Sequence, residues 1–316
     1  MTLRVDSATI EAVVDRARAE GRTLWIACVV DDPVVDDVLA CPLSGFAAAG
    51  REDRFFWEQG DSGDLALAVG LADEIESAGV DRFADVRSWA RDVAERVSWI
   101  GRPRPAACPS FFGGFGFEAT SRGSEDWKAF PAARFVLPGL IVSRIDGVSN
   151  ATLIVRVEPG VTASAVETAL ASRADVLASL TAVAPVDEAK PIDLSEAWGE
   201  GPEFRVEADR PHPVFCAQVE DALRAFDEGE LEKVVLARSL SVAHGGPIDV
   251  PEFMGRLRAT YPTCTLVAMG RGDDTFLAAT PELLVRTRGA AVATAALADQ
   301  AIDALDAHLA EQGVKW

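Results

Sequence analysis

The chain has 316 residues, with 30 Lys and Arg against 50 Asp and Glu, for a formal net charge of −20 and an isoelectric point near 4.5. That balance argues against nucleic acid as a partner, since phosphate binding needs a basic face, and equally against an anionic membrane surface. A hydrophobic fraction of 49% with 25% charged residues is the composition of a folded protein rather than a disordered one.

The first helix is read from Ile10, Val13, Val14 and Ala17, spaced i, i+3, i+4, i+7, with Gly21 as the stop. Met1 to Arg22 places acids where a signal peptide needs a basic stretch, and no continuous apolar core follows. Short apolar runs come next, first Thr23 to Val30 (TLWIACVV) and then VVDDVLA. None approaches the ~18 residues that span a bilayer. Arg54 to Gln59 (RFFWEQ) reads as a strand with aromatic side chains. Past the turn DSGD lies the apolar LALAVGLADEI. Val86 to Trp99 has helical spacing through Val86, Trp89, Ala90, Val93 and Val97, and Gly101 to Pro105 (GRPRP) is a loop by composition.

Phe111 to Phe117 (FFGGFGF) reads as a bulged central strand, its glycines marking a close approach of another backbone. It is not a phosphate loop, because neither GxxxxGK[ST] nor GxGxxG occurs. Arg134 to Ile145 and Ala151 to Val157 form a strand pair around Asp146-Gly147. Val161 to Thr181 is a helix, and Ala182 to Pro211, rich in proline and charge, is the linker candidate. A helix over Val214 to Phe226 precedes a strand over Leu231 to Val242, and a further helix lies near Pro251 to Thr260. Two strand pairs close the series: Cys264 to Gly270 with Thr275 to Ala279, and Glu282 to Arg288 with Ala291 to Leu297. Strands joined by hairpins, with helices in separate blocks, predict an α+β fold of largely antiparallel sheets flanked by helices.

The five cysteines (Cys28, Cys41, Cys108, Cys216, Cys264) are scattered without CxxC spacing, and the three histidines lie far apart. Neither a disulfide framework nor a zinc site is expected. The reading is a reduced, cytoplasmic, acidic globular protein, with no nucleic acid or membrane partner.

Only four of the thirty basic residues are lysines: Lys128, Lys190, Lys233 and Lys315. In a strand over Leu231 to Val242, Lys233 shares its face with Leu231, Val235, Ala237 and Ser239. It is either an edge charge that discourages aggregation or a desolvated amine able to act as a general base. Glu282 follows Thr280-Pro281 at the start of a strand, a position at a sheet rim. It is either a solvated strand-end acid or, in an apolar cleft, a proton donor. An amine base and a carboxylic acid on neighbouring strands would form a pair for an elimination or a hydroxyl exchange.

Three ordered motifs carry a resemblance. Glu232 to Arg238 (EKVVLAR), Phe276 to Val285 (FLAATPELLV) and Thr294 to Ala298 (TAALA) resemble those of the chorismate-utilising enzymes, and most of all the isochorismate synthases among them. FFWEQ at Phe55 to Gln59, FGGFGF at Phe112 to Phe117 and WKAFPAARFVLP at Trp127 to Pro138 are similar to that family's N-terminal region, so the match runs from roughly Thr23 to Ala298. The resemblance implies that Lys233 is the general base activating water to attack C2 of chorismate. Glu282 is then the general acid assisting loss of the C4 hydroxyl, and Ala296 and Leu297 line the substrate pocket. Family members that use ammonia usually carry glutamine at the position of Lys233, so lysine favours the water-using branch, isochorismate synthase or salicylate synthase. Mg²⁺ is the implied cofactor, and menaquinone or siderophore biosynthesis the implied pathway.

After Ala298 the family continues with glycine and a longer region that holds the magnesium-binding glutamates and the groups gripping the substrate carboxylates. Here Asp299 and Gln300 follow instead, and the motifs of that region are absent before Trp316. The expected organisation is an N-terminal α+β region over 1–200, an incomplete chorismate-binding region over 212–298, and a divergent helical tail over 299–316, a truncated form of the fold. A non-catalytic remnant or interaction protein of the same family is the competing reading.

Overall fold

The computed structural model describes residues 6–30, 32–101, 110–120, 127–181, 205–243, 245–288 and 291–295. The described residues divide into two compact units, one drawn from 1–191 together with 250–316, the other from 192–249.

The first unit is built on a nine-stranded sheet. In chain order its strands are β1 (Leu24–Val30), β2 (Arg54–Gln59), β3 (Leu65–Ser77), β4 (Val97–Ile100), β5 (Phe112–Phe115), β6 (Ala133–Ile145) and β7 (Val148–Val157). After β8 (Arg205–Ala208) and β9 (Leu240–Ala243) of the second unit, β10 (Thr265–Arg271) and β11 (Asp274–Thr280) complete the sheet. Its order is β11-β10-β2-β3-β6-β7-β1-β4, with β5 added to β6. Every pairing is antiparallel except β1 with β4, so the expected α+β fold of largely antiparallel sheet is what the chain adopts. β12 (Leu283–Arg288) and β13 (Ala291–Ala295) pair separately.

The longest pairing joins β3 and β6, from Leu65 opposite Arg144 to Ser77 opposite Ala133, with an irregularity between Leu71 and Asp73. Gly70, just before it, has φ +70, a conformation that costs a glycine little. β6 turns into β7 through Asp146 and Gly147, both at positive φ (51 and 73). This is the two-residue hairpin turn that Asp-Gly favours, because its twist matches that of the strands.

Alternation along the strands sends side chains to two faces. Leu24, Ile26, Phe56, Leu67, Leu140 and Leu153 enter the larger core, beneath α1 (Ser7–Glu20), α2 (Val34–Ala40), α3 (Pro42–Ala48), α5 (Ala163–Ser179) and, after α6 (His212–Asp227) of the second unit, α7 (Val250–Thr260). In α1 the predicted stripe of Ile10, Val13, Val14 and Ala17 is buried, Asp6 caps the first turn by accepting from the Ala8 N–H, and Gly21 ends it in the left-handed region. Trp25, Ala68, Leu137, Ile141 and Ile154 form a smaller cluster on the opposite face. There α4 (Arg82–Glu95) contributes Val93 and Trp89. Burial on both faces explains why β1 reads as a continuous apolar run. Each fully buried leucine or phenylalanine contributes about 1.5–3 kcal/mol.

Three expectations change. The helix predicted through Trp99 stops at Glu95, and Val97–Ile100 pairs in parallel with β1. Val93 and Val97 fit helical spacing, but Val97, Trp99 and Ile100 also suit a strand, and the free edge of β1 decides between them. β5 is a four-residue strand that pairs only with β6 among the described residues, not a central strand. The close approach read from its glycines is real at Gly113, where a Cβ would lie 2.1 Å from the Arg134 carbonyl oxygen. The strand predicted over Leu231 to Val242 is regular only at Leu240–Ala243, which pairs with Arg205–Ala208. Residues 231–239 find no ladder partner among the described residues and are exposed. The compact units divide the chain at 191/192 and again at 249/250. β10 pairs along β2, Thr265 opposite Gln59 to Gly270 opposite Arg54, which ties the segment from Val250 onward to the N-terminal sheet. The predicted tail over 299–316 and most of the predicted linker lie outside the described residues.

In the second unit, β8 and β9 form a two-stranded ladder, and α6 has no buried residue.

Gly113→Ala is expected to cost about 1–3 kcal/mol through backbone displacement. Gly114→Ala, whose Cβ meets only the Met269 methyl at 3.9 Å, should be close to neutral; paired thermal melts test the difference. Burial pushes the Cys28 thiol up to about 11. The unfolded thiol ionises first, so the folded protein holds the extra proton and loses stability as pH rises from about 9 to about 11. Urea titrations of the wild type and Cys28→Ala across that range should show a slope of up to about 1.4 kcal/mol per pH unit that the variant lacks.

Candidate functional site

The sequence singles out Lys233, Glu282, Ala296 and Leu297. Lys233 is exposed in the irregular stretch between α6 and β9 of the second unit. Glu282 is also exposed and belongs to the first unit, in the two-residue connection Pro281-Glu282 between β11 and β12. Its backbone N–H donates to the Thr280 hydroxyl at 3.0 Å, a local bond that shapes the bend after the strand. Glu282 thus occupies the strand-end position expected of it. Lys233 does not lie on the alternating face that a strand would have provided. The two belong to separate compact units, and no single element carries both. Ala296 and Leu297 lie outside the described residues.

Among the described residues, no group of three or more His, Cys, Asp or Glu is placed to hold a metal ion. The nearest thing to an acidic cluster, Asp53, Glu74 and Glu76, is organised around a guanidinium instead. The described residues thus present no preformed cluster of three or more metal ligands.

The first unit has a cleft of about 360 Å³, lined by residues of β2, β3, β5, β6, β10 and β11. Its walls bring together the aromatic segments that are far apart in the chain. Phe55 of β2 meets Phe112 of β5 at 4.3 Å between ring centroids. Trp127, Phe130 and Phe276 stand mutually 6.1 to 6.3 Å apart. Gly70, Gly114 and Gly270 contribute backbone to the lining, and a Cβ at Gly114 would meet only the Met269 methyl, at 3.9 Å.

Charged groups at this cleft are engaged with one another. Arg134 of β6 reaches Asp53 at 2.9 Å, Glu74 at 2.7 Å and Glu76 at 3.4 Å. Arg271 of β10 pairs with Glu76 at 2.9 Å and donates to the Ala129 carbonyl at 3.2 Å. Burial works against the charge on Arg134, but hydrogen bonds and charge from Asp53 and Glu74 outweigh it and hold its pKa above the ordinary arginine value. Arg54 lies over Gly270 and donates to the Gly272 carbonyl and the Thr275 hydroxyl. Burial lowers its pKa, opposed by Asp273 and Asp53. Motif reading missed Asp53, Glu74, Arg134 and Arg271, because nothing local marks an arginine whose partners come from other strands. The signal that pointed at the place was the density of aromatic residues in RFFWEQ, FFGGFGF and WKAF.

Residues 14–310 match the family described as chorismate binding enzyme. The salicylate biosynthesis isochorismate synthase of Pseudomonas aeruginosa is 30% identical over 300 residues, covering 92% of this chain and 56% of that protein. The isochorismate synthase MenF of Bacillus subtilis is 26% identical over 268 residues, covering 81% of this chain and 54% of that protein. The chain thus spans about half the length of these curated relatives. The structure of MenF, the menaquinone-specific isochorismate synthase from Escherichia coli, superposes with a TM-score of 0.53 at 18% identity, over 90% of this chain and 57% of that one. That likeness concerns the fold.

Arg134→Met leaves Asp53 and Glu74 without their shared partner. It is expected to cost about 2 kcal/mol, read as a lowered midpoint in urea. Restoring neutrality with Asp53→Asn on that background should recover part of the loss.

Proposed function

The chain belongs to the chorismate-binding enzymes, and from that premise we propose that it acts on chorismate as an isochorismate synthase, in menaquinone or siderophore biosynthesis. The observation that supports the reading is the ordered pair of motifs EKVVLAR and FLAATPELLV, which resemble the family's and lie within the matched residues 14–310; by that resemblance Lys233 is the base and Glu282 the acid. The names of the relatives support the same reaction.

In this chemistry the Lys233 amine accepts a proton from water as its oxygen forms a bond to C2. The ring double bonds shift, the C4–O bond breaks, and Glu282 donates the proton that lets the hydroxyl leave as water. One water enters and one departs, so the net change is isomerisation. Each proton transfer by a positioned side chain is worth about 10²- to 10⁴-fold in rate. Lys233 suits the base role because an amine changes protonation state readily when desolvated. Its exposure between α6 and β9 means that the desolvation has to come with substrate or with polypeptide packed over 231–239.

Chorismate is a dianion, whereas the chain carries a net charge of −20. Binding therefore depends on a locally positive site and weakens with ionic strength. Mg²⁺ is part of the family expectation, but the described residues supply no ligand set for it, and neither proton transfer above is routed through it.

The test is conversion of chorismate by the purified chain, with and without Mg²⁺, products being separated by chromatography. Isochorismate is expected, and Lys233→Ala should lower kcat by at least about 10²-fold while the thermal melt is unchanged. A fully active Lys233→Ala variant, or a folded wild-type chain with no turnover, overturns the proposal. Salicylate and pyruvate as products would assign the chain to the salicylate-forming branch.

A further inference from the structure

The cleft of the first unit has a chemistry of its own. Its lining is dominated by rings and glycine backbone: Phe55, Phe112, Trp127, Phe130 and Phe276 present faces and edges, and Met269 adds a polarisable thioether. A volume of about 360 Å³ is that of a small-molecule site. Trp127 keeps 54% of its surface exposed.

Charge decides what kind of molecule the cleft takes. The Arg134 and Arg271 guanidiniums already answer Asp53, Glu74 and Glu76, leaving an excess of one carboxylate in that group. Arg54 is held against Gly272 and Thr275 and faces the charges of Asp53 and Asp273. An anion entering here would have to compete with the carboxylates already paired to Arg134 and Arg271 in a poorly hydrated place.

We propose that this cleft is a binding site for an uncharged planar aromatic molecule, held by stacking on the Trp127–Phe130–Phe276 and Phe55–Phe112 walls. Ring-on-ring contact contributes beyond area burial, and no group in the cleft needs an anionic partner. The site does not depend on the isochorismate synthase reading, and its test uses no turnover.

Two fluorescent probes sharing one ring system separate charge from shape: N-phenyl-1-naphthylamine, which is uncharged, and 1-anilinonaphthalene-8-sulfonate, which carries a sulfonate. The uncharged probe should bind the purified chain saturably at one site and quench tryptophan fluorescence. The sulfonate should bind at least about tenfold more weakly. Gly114→Leu directs a side chain into the cleft from a position where a Cβ meets only the Met269 methyl at 3.9 Å, and Trp127→Ala removes one wall at an exposed position. Either variant, melting within a few degrees of the wild type, should weaken the uncharged probe at least about tenfold. Should Gly114→Leu not fold, Trp127→Ala alone carries the test. Equal binding of the two probes, non-saturable binding, or affinity unchanged in the folded variants would each show adsorption to apolar surface and overturn the proposal.

Discussion

The pairing of β3 with β6 is the constraint on which the rest of the first unit depends. Both strands are 13 residues long, and each carries side chains to both faces. β6 is shared: β3 runs along one edge, while β7 and β5 divide the other, at 140–145 and 133–136 respectively. That division has a chemical consequence. Where β7 lies beside β6, the sheet continues through β1 to β4 and is buried. Where β5 takes over, the sheet thins to a four-residue strand, and the glycines of FFGGFGF let it lie close against Arg134 and Phe135. The cleft opens at that transition.

Charge is organised on two scales. Globally the chain is acidic, which keeps it apart from other polyanions and repels an anionic substrate. Locally, Arg134 gathers carboxylates from β3 and from the segment just before β2. Breaking such a partly buried group strands charges that cannot easily regain water. The pairing therefore fixes the register in which β3, β6 and Asp53 meet, and it uses guanidinium groups that might otherwise receive an anion. The candidate acid and base stand in a different setting. Lys233 and Glu282 are exposed, and neither sits in a network of comparable density. An acid and a base that must exchange protons with a substrate need accessibility first, and the environment that tunes them has to close around them.

Local signals in the sequence were accurate wherever the physics is local. The apolar spacing of α1, its Asp6 and Gly21 caps, and the Asp146-Gly147 turn follow from neighbouring residues alone, as do the alternating strand β2 and the hairpin of β10 with β11. Misreadings came where two local patterns coincide or where a strand requires a partner. Val93 and Val97 satisfy a helix, yet the edge of β1 recruits Val97–Ile100. KVVLARS is strand-like in composition, but β propensity expresses how well side chains fit a paired, half-buried surface. Without a neighbour, residues 231–239 remain irregular.

The sequence by itself determined the family, the α+β class and the identity of the candidate acid and base, because motif spacing and hydrophobic period are properties of short stretches of chain. Only the tertiary structure decided that β10 and β11 join the N-terminal sheet through β2, that Lys233 and Glu282 fall in different compact units, and that rings from RFFWEQ, FFGGFGF, WKAF and Phe276 surround one cleft. The reason is that strand neighbours are chosen by which edges remain free after nearby hairpins have formed. That choice is made among segments hundreds of residues apart, where no periodicity in the chain records it.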